Sequence, residues 1–93
     1  MNYFLVERSL AGMTQGNLNS LQRALREATH RLSTSSVAVR YMGSVYLPRR
    51  QTCLCLFEAA HPELVRIANE TAQAPYSSIQ EAVALFADTG AKP

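Results

Sequence analysis

Two glutamates on strand-like segments, Glu7 and Glu81, are the residues of this sequence best suited to chemistry. If these segments are neighbouring strands, the end of the first lies beside the start of the last, and the two carboxylates approach each other. Like charges a few ångströms apart raise one of the two pKa values, so such a pair can share a cation or act as a general base. We expect Cys53 at the same end of the sheet. Alternatively, one or both carboxylates reach solvent or pair with Arg8.

Arg40 and Glu58 are predicted to meet at the opposite end, directly across two paired strands. The simplest interpretation is a cross-strand ion pair that contributes about 0.2–1 kcal/mol. If the pair instead lines a buried interface, it anchors an anionic or carbonyl ligand, with Tyr41 beside it. Tyr41 and Tyr46 are five residues apart on one strand, which predicts that they lie on opposite faces.

Sulfur and imidazole ligands are few. Cys53 and Cys55 are two residues apart on a strand and point to one face, either as free core thiols or as soft metal ligands. His61 begins a helix, as a capping or surface residue or as a metal ligand, and His30 lies late in a helix, where a cation is favourable. No HxxxH, HxH or CxxC spacing occurs, and no glycine-rich loop could bind phosphate. The candidate metal ligands are therefore Glu7, Glu81, Cys53 and His61.

The composition is that of one globular domain of 93 residues, with 47% hydrophobic residues, 17% charged residues and a net charge of +2. Low surface charge fits a protein that hides part of its exterior in an oligomer. The nine Lys and Arg residues are scattered, which argues against nucleic-acid binding. The amino terminus lacks the features of a signal peptide, and no apolar run approaches the ~20 residues that span a bilayer. We expect a cytoplasmic protein, not bound to a membrane, with reduced thiols.

Hydrophobic periodicity predicts four strands and two helices. Thr14 is the expected N-cap of a helix that ends near Leu32, and Pro62 suits the first position of the second helix. Ala74-Pro75 should end that second helix. The predicted strands are Asn2–Arg8, the two arms of a hairpin within Val37–Ala59, and Ile79–Phe86. We expect order over about 2–87 and a flexible tail over 88–93.

The hairpin register follows from a three-residue turn, Pro48-Arg49-Arg50, that places Leu47 opposite Gln51. Walking outward from the turn predicts the pairs Val45–Cys53, Gly43–Cys55, Tyr41–Phe57 and Arg40–Glu58.

The element order β-α-β-β-α-β predicts a ferredoxin-like α+β fold. Right-handed crossovers give an antiparallel sheet of order 4-1-3-2 with both helices on one face. The other apolar face then needs a partner, and a second copy of the chain is the simplest one. We therefore predict a homodimer that packs face to face as a dimeric α+β barrel.

The segments YFLVERSL, VRYMGSVYLP, CLCLFEA and IQEAVAL resemble a family of small bacterial proteins of unknown function, typified by a nickel-binding protein with a dimeric ferredoxin-like fold. The resemblance covers about residues 2–86. It implies the same fold and dimer, with nickel or another divalent metal as ligand. Many relatives carry histidines where this chain has Gly43 and Ala68. The polar residues that match the family pattern are Glu7, Arg40, Tyr41, Cys53, Glu58 and Glu81.

Three functions stay open at this point. The first is a small-ligand or metal-binding dimer, with nickel as the metal that the resemblance implies. The second is a cofactor-free enzyme of the dimeric α+β barrel type, a monooxygenase, isomerase or cyclase that acts on a small apolar substrate. It would use Glu7 or Glu81 as base and Arg40 as oxyanion partner. The third is a structural or regulatory module whose apolar face serves only dimerisation.

Overall fold

The computed structural model describes residues 1–34 and 37–86. The four strands form one antiparallel sheet in the order β2-β3-β1-β4, which is the predicted 4-1-3-2 order read from the other edge. The ferredoxin-like prediction is therefore confirmed. No helix within the described ranges is long and apolar enough to cross a membrane. The elements are β1 (Asn2–Ser9), α1 (Gln15–Leu32), β2 (Val39–Leu47), β3 (Thr52–Ala59), α2 (Pro62–Thr71) and β4 (Ser78–Ala82).

Both helices cover one face of the sheet, to which alternate and mostly apolar strand residues point. Leu25 of α1 and Val65 of α2 are fully buried in the single core that results. The strand residues on this helix-covered face include Phe4, Val6, Cys53, Cys55 and Phe57. The opposite side of the sheet is called the open face below. Its central positions are Tyr3, Leu5, Glu7, Leu54, Leu56 and Glu58, all of them only half-buried.

The helix starts agree with the sequence signals. Thr14 caps α1 in a reciprocal arrangement: its Oγ1 accepts from the Asn17 amide at 3.1 Å, and the Asn17 Oδ1 accepts from the Thr14 amide at 3.1 Å. Pro62 is the first residue of α2. This helix ends at Thr71, earlier than the predicted stop at the following proline.

The hairpin turn is one residue longer than predicted. Residues 48–51 connect the strands, and Gln51 closes the turn with a φ of 49°. Leu47 therefore pairs with Thr52 and not with Gln51. Every pair near the turn is shifted by one residue, so that the observed pairs are Val45–Leu54, Ser44–Cys55 and Gly43–Leu56.

A β-bulge corrects this shift farther along β2. The irregularity lies between Tyr41 and Gly43, and Gly43 has a φ of 149°. A bulge adds one unpaired residue to one strand, so the predicted pairs of Tyr41 and Arg40 are restored beyond it. It also reverses the alternation of faces. Tyr41 and Tyr46 consequently lie on the same, helix-covered face, and the prediction of opposite faces was wrong.

Strand β4 is shorter than predicted, because β1, the strand that it pairs with, begins only at Asn2. Ala82 pairs with Tyr3, one residue from the start of β1, and residues 83–86 leave the sheet. Phe86 returns over the open face and its ring meets that of Tyr3 edge to face, with centroids 6.0 Å apart. The predicted flexible tail, 88–93, lies outside the described residues.

Candidate functional site

The two glutamates proposed as a pair do not meet. Glu7 pairs with Ser78, the first residue of β4, whereas Glu81 pairs with Phe4. Glu81 is three positions after Ser78, and an odd offset along a strand places two side chains on opposite faces of the sheet. Glu7 is therefore on the open face and Glu81 on the opposite side, at an exposed edge. The expected site with two neighbouring carboxylates is not formed within one chain.

The other two predicted metal ligands are also apart. Cys53 lies on the helix-covered face opposite Arg8, away from the face that carries Glu7. His61 is the exposed N-cap residue of α2, and its side chain makes no capping hydrogen bond. Across residues 1–34 and 37–86, no three His, Cys, Asp or Glu side chains come together in a way that could hold a metal ion.

Arg40 and Glu58 form the predicted cross-strand ion pair. The Arg40 Nη1 donates to the Glu58 Oε1 at 3.1 Å. The carboxylate side chain is only 18% exposed, but the guanidinium side chain is 66% exposed. Solvent screens such a pair, so its contribution stays at about 0.2–1 kcal/mol.

Two buried thiols and two hydroxyls nearer the surface form a row of hydrogen-bonded groups, which we call the thiol cluster: Cys53, Cys55, Ser44 and Tyr41. The two sulfur atoms are 3.7 Å apart. The Ser44 hydroxyl donates to the Cys55 Sγ at 2.9 Å and shares a second hydrogen bond with the Tyr41 hydroxyl. Both cysteines are free and buried, as the sequence predicted.

The longer turn and the β-bulge together build this cluster, because the turn sets the partner of Ser44 and the bulge brings Tyr41 to the same face. With the predicted register, Gly43 would face Cys55, and Ser44 would lie on the other side of the sheet. The observed register puts the Ser44 hydroxyl opposite Cys55. A cavity of about 200 Å³ opens over the cluster between β2, β3 and the first half of α1, where Leu18, Asn19 and Gln22 form its opposite wall.

The environment of the thiol cluster favours its protonated form. Burial, reinforced by the neighbouring Cys55 thiol, raises the pKa of Cys53 to about 11. Burial also raises the pKa of Tyr41, and the hydrogen bond with Ser44 opposes that effect. At neutral pH, Cys53 is therefore a thiol and Tyr41 a phenol.

Arg8 is a buried cation beside the cluster that the sequence prediction treated only as a partner for glutamate. It is 1% exposed, and its Nη atoms donate to the carbonyls of Ala74 at 2.9 Å and Pro75 at 3.2 Å and to the Asn69 Oδ1 at 2.5 Å. No carboxylate in the described residues pairs with it, and its Nε has no partner there. Its inward direction could have been predicted from the sequence, because Arg8 continues the alternation that buries Phe4 and Val6 on the same face of β1.

The open face carries a shallow apolar groove of about 490 Å³. Leu5, Leu54, Leu56, Val45 and Phe86 are among its lining residues. Val45 is 60% exposed and Phe86 is 64% exposed, which is unusual for large apolar side chains.

Comparison with known proteins places this fold and sequence in a family. A family model described as "Nickel responsive protein SCO4226-like" matches residues 4–82, which is most of the chain. Among solved structures, the crystal structure of SCO4226 from Streptomyces coelicolor A3(2) is similar, with 23% identity and a TM-score of 0.75; the match covers 91% of this chain and 99% of that one. No curated protein matches. The chain therefore belongs to the SCO4226-like family of nickel responsive proteins.

Proposed function

We propose that this protein binds a thiophilic divalent metal ion, with nickel as the family's candidate, through Cys53 and Cys55. The observation that carries the proposal is the 3.7 Å separation of the two sulfur atoms. Two metal–sulfur bonds of about 2.3 Å at a tetrahedral angle require sulfurs about 3.7–3.8 Å apart. The pair therefore matches the spacing of a chelating dithiolate without movement of β3.

The remaining donors also fit such an ion. The Ser44 hydroxyl already touches one sulfur, and the Tyr41 hydroxyl is bonded to Ser44. The cavity over the cluster leaves room for a water or an external ligand. The family resemblance implies histidines at the positions of Gly43 and Ala68, which supply no ligand in this chain, and Ala68 is fully buried against the core. A sulfur site is thus the donor set that this chain offers in their place.

The chain's own residues set the conditions for binding. A thiol must lose its proton to become a ligand, and Cys53, with its pKa raised to about 11, holds that proton at neutral pH. Arg8 opposes the rise in the Cys53 pKa, because a nearby cation stabilises a thiolate. Binding should therefore release at least one proton and strengthen as the pH rises.

Calorimetric titration with nickel, cobalt and zinc salts under reducing conditions tests this proposal. We expect binding that is lost in Cys53→Ala and in Cys55→Ala, with the proton release measured by repeating the titration in buffers of different ionisation enthalpy. Glu7→Gln, Glu81→Gln and His61→Gln are the matched controls and should bind as the parent does. Loss of binding in those three variants, with retention in both cysteine variants, would move the site away from the thiol cluster.

We also propose that the protein is a homodimer through the open face. The support is the apolar groove and the two exposed side chains in it, Val45 and Phe86. Val45→Lys should give a folded monomer, because this side chain is exposed in the single chain and contributes little to its core. Ser20→Lys, at an exposed site of α1, adds the same charge and should leave the protein a dimer. Light scattering distinguishes the two outcomes.

The enzymatic alternative has less support. The groove of the open face has no titratable side chain among its described lining residues. Glu7 and Glu81, the bases that the alternative needs, lie on different faces of the sheet. A reaction that depends on a general base is therefore the weaker candidate for this chain.

A further inference from the structure

We propose that the cleft between the end of α1 and the start of β2 binds a small organic anion with two or more carboxylate or phosphate groups. This basic cleft has a volume of about 630 Å³, within the usual range for small-molecule sites. Its charged lining residues are Arg26, Glu27, Arg31 and Arg40, with His30 between them. Three of the nine basic residues thus surround one cleft, although they are dispersed in the sequence.

Two of these guanidinium groups are not engaged by carboxylates. Arg26 and Arg31 are exposed and form no ion pair within the described residues. Arg31 has Glu27 four residues before it, the favourable orientation for a helical ion pair, yet the pair does not form. On α2, by contrast, Arg66 bonds both Glu63 and Glu70.

The stability of the fold explains the positions of only some of the cationic side chains around the cleft. Basic residues in the last turn of α1, His30 and Arg31, stabilise the negative end of the helix dipole. Arg26 lies outside that turn, and Arg40 comes from β2. Arg40 reaches the rim of the cleft with its charge shared with Glu58. Glu58 already accounts for Arg40, so Arg26 is the cation of the cleft that neither the helix dipole nor an ion pair in the described residues explains, and an anionic ligand supplies a reason for it.

The hydroxyl groups of the cleft are already engaged within the protein: those of Thr29 and Ser33 bond the backbone, and that of Tyr41 bonds the Ser44 side chain. The Thr29 Oγ1 donates to the carbonyls of Leu25 and Arg26, both at 3.0 Å, and the Ser33 Oγ donates to the Val39 carbonyl at 2.9 Å. The groups left for a ligand are the guanidinium groups, which bind carboxylate and phosphate oxygens in pairs, and the His30 imidazole, which offers a single hydrogen bond.

The walls of the cleft set the size and type of the anion. Val39 is buried beneath it, and the half-buried Tyr41 contributes its ring. An apolar floor with cations around it suits a compact organic anion. A nucleic acid would instead need a longer basic track.

Calorimetric titration of the whole protein with citrate and with an organic bisphosphate, 2,3-bisphosphoglycerate, tests the inference and distinguishes the two anion chemistries. We expect one of them to bind, Arg26→Gln and Arg31→Gln each to weaken it about tenfold, and Glu27→Gln to tighten it. Arg23→Gln removes the same charge from α1 outside the cleft and should change the affinity less than twofold. All four sites are exposed, so the helix should stay intact in each variant, which circular dichroism checks.

Three results would overturn the inference. These are no binding of either anion at millimolar concentration, equal weakening by Arg23→Gln and Arg26→Gln, and tighter binding of a single-stranded 12-mer oligonucleotide than of both small anions. None of them bears on the metal proposal, whose readout is the loss of metal binding in the cysteine variants.

Discussion

The buried guanidinium of Arg8 provides a sharp test of the packing beneath the sheet. Its strongest partner is the Asn69 Oδ1 at 2.5 Å, and Asn69 in turn donates to the Val65 carbonyl at 2.8 Å. Both side chains are at most 1% exposed. Replacing Asn69 by Leu keeps the volume but leaves the cation with only the two backbone carbonyls that follow α2.

A hydrogen bond to a charged group contributes about 1.5–3 kcal/mol, so Asn69→Leu should lower the free energy of unfolding by about 2 kcal/mol. In a domain of this size, that corresponds to a fall in Tm of roughly 8–16 °C. Arg8→Met alone should also destabilise, because it leaves the Asn69 amide and the Ala74 and Pro75 carbonyls without their donor. Urea unfolding followed by circular dichroism measures both changes.

The double variant Arg8→Met/Asn69→Leu separates this reasoning from a simple loss of packing. Removing both partners of a buried hydrogen bond costs less than removing either and leaving the other unsatisfied. We expect the double variant to be more stable than the sum of the single changes by at least about 1 kcal/mol. Arg66→Met, at a half-exposed arginine on α2, is the matched control and should cost less than about 1 kcal/mol. Additivity of the two single changes to within about 0.5 kcal/mol would refute the assigned role of Arg8.

Three further predictions concern the bulge, a helix cap and pH. Gly43→Ala should cost about 1–3 kcal/mol in urea unfolding through backbone strain alone, since nothing lies within 4 Å of the added carbon; no loss would argue against the bulge. Thr14→Ala should cost about 0.5–2 kcal/mol, whereas Thr14→Ser should be nearly neutral. The pKa of Cys53 is raised from 9.0 to about 11, so the folded state holds this proton more tightly than the unfolded chain. Stability should therefore be retained below pH 9 and fall between pH 9 and 11, with a shallower fall in Cys53→Ala.

Local signals in the sequence predicted the elements of this fold. The Thr14 cap, the proline at the first position of α2 and the leucine spacing of α1 each depend on contacts within one or two turns of chain. The element order then limited the topology to one sheet order, because right-handed crossovers exclude the others. These inferences needed no long-range information.

The candidate site was predicted less well, because strand register is a long-range property. One extra residue in the turn moved Ser44 opposite Cys55, and the bulge at Gly43 returned Arg40 to Glu58. In the same way, the first pair of β4 decided that Glu7 and Glu81 lie on different faces. A shift of one residue reverses a side chain's face, so predicted clusters on a sheet are only as good as the register.

The sequence by itself determined the helices, the strands, their order and the inward alternation that buries both cysteines. The tertiary structure alone decided that Tyr41 and Ser44 join these cysteines, that Arg8 is held by α2 and the turn after it, and that basic residues of α1 and β2 share one cleft. The physical reason is that hydrophobic periodicity depends only on residues close together in the sequence. Strand register, bulges and helix placement depend on the packing of the whole core.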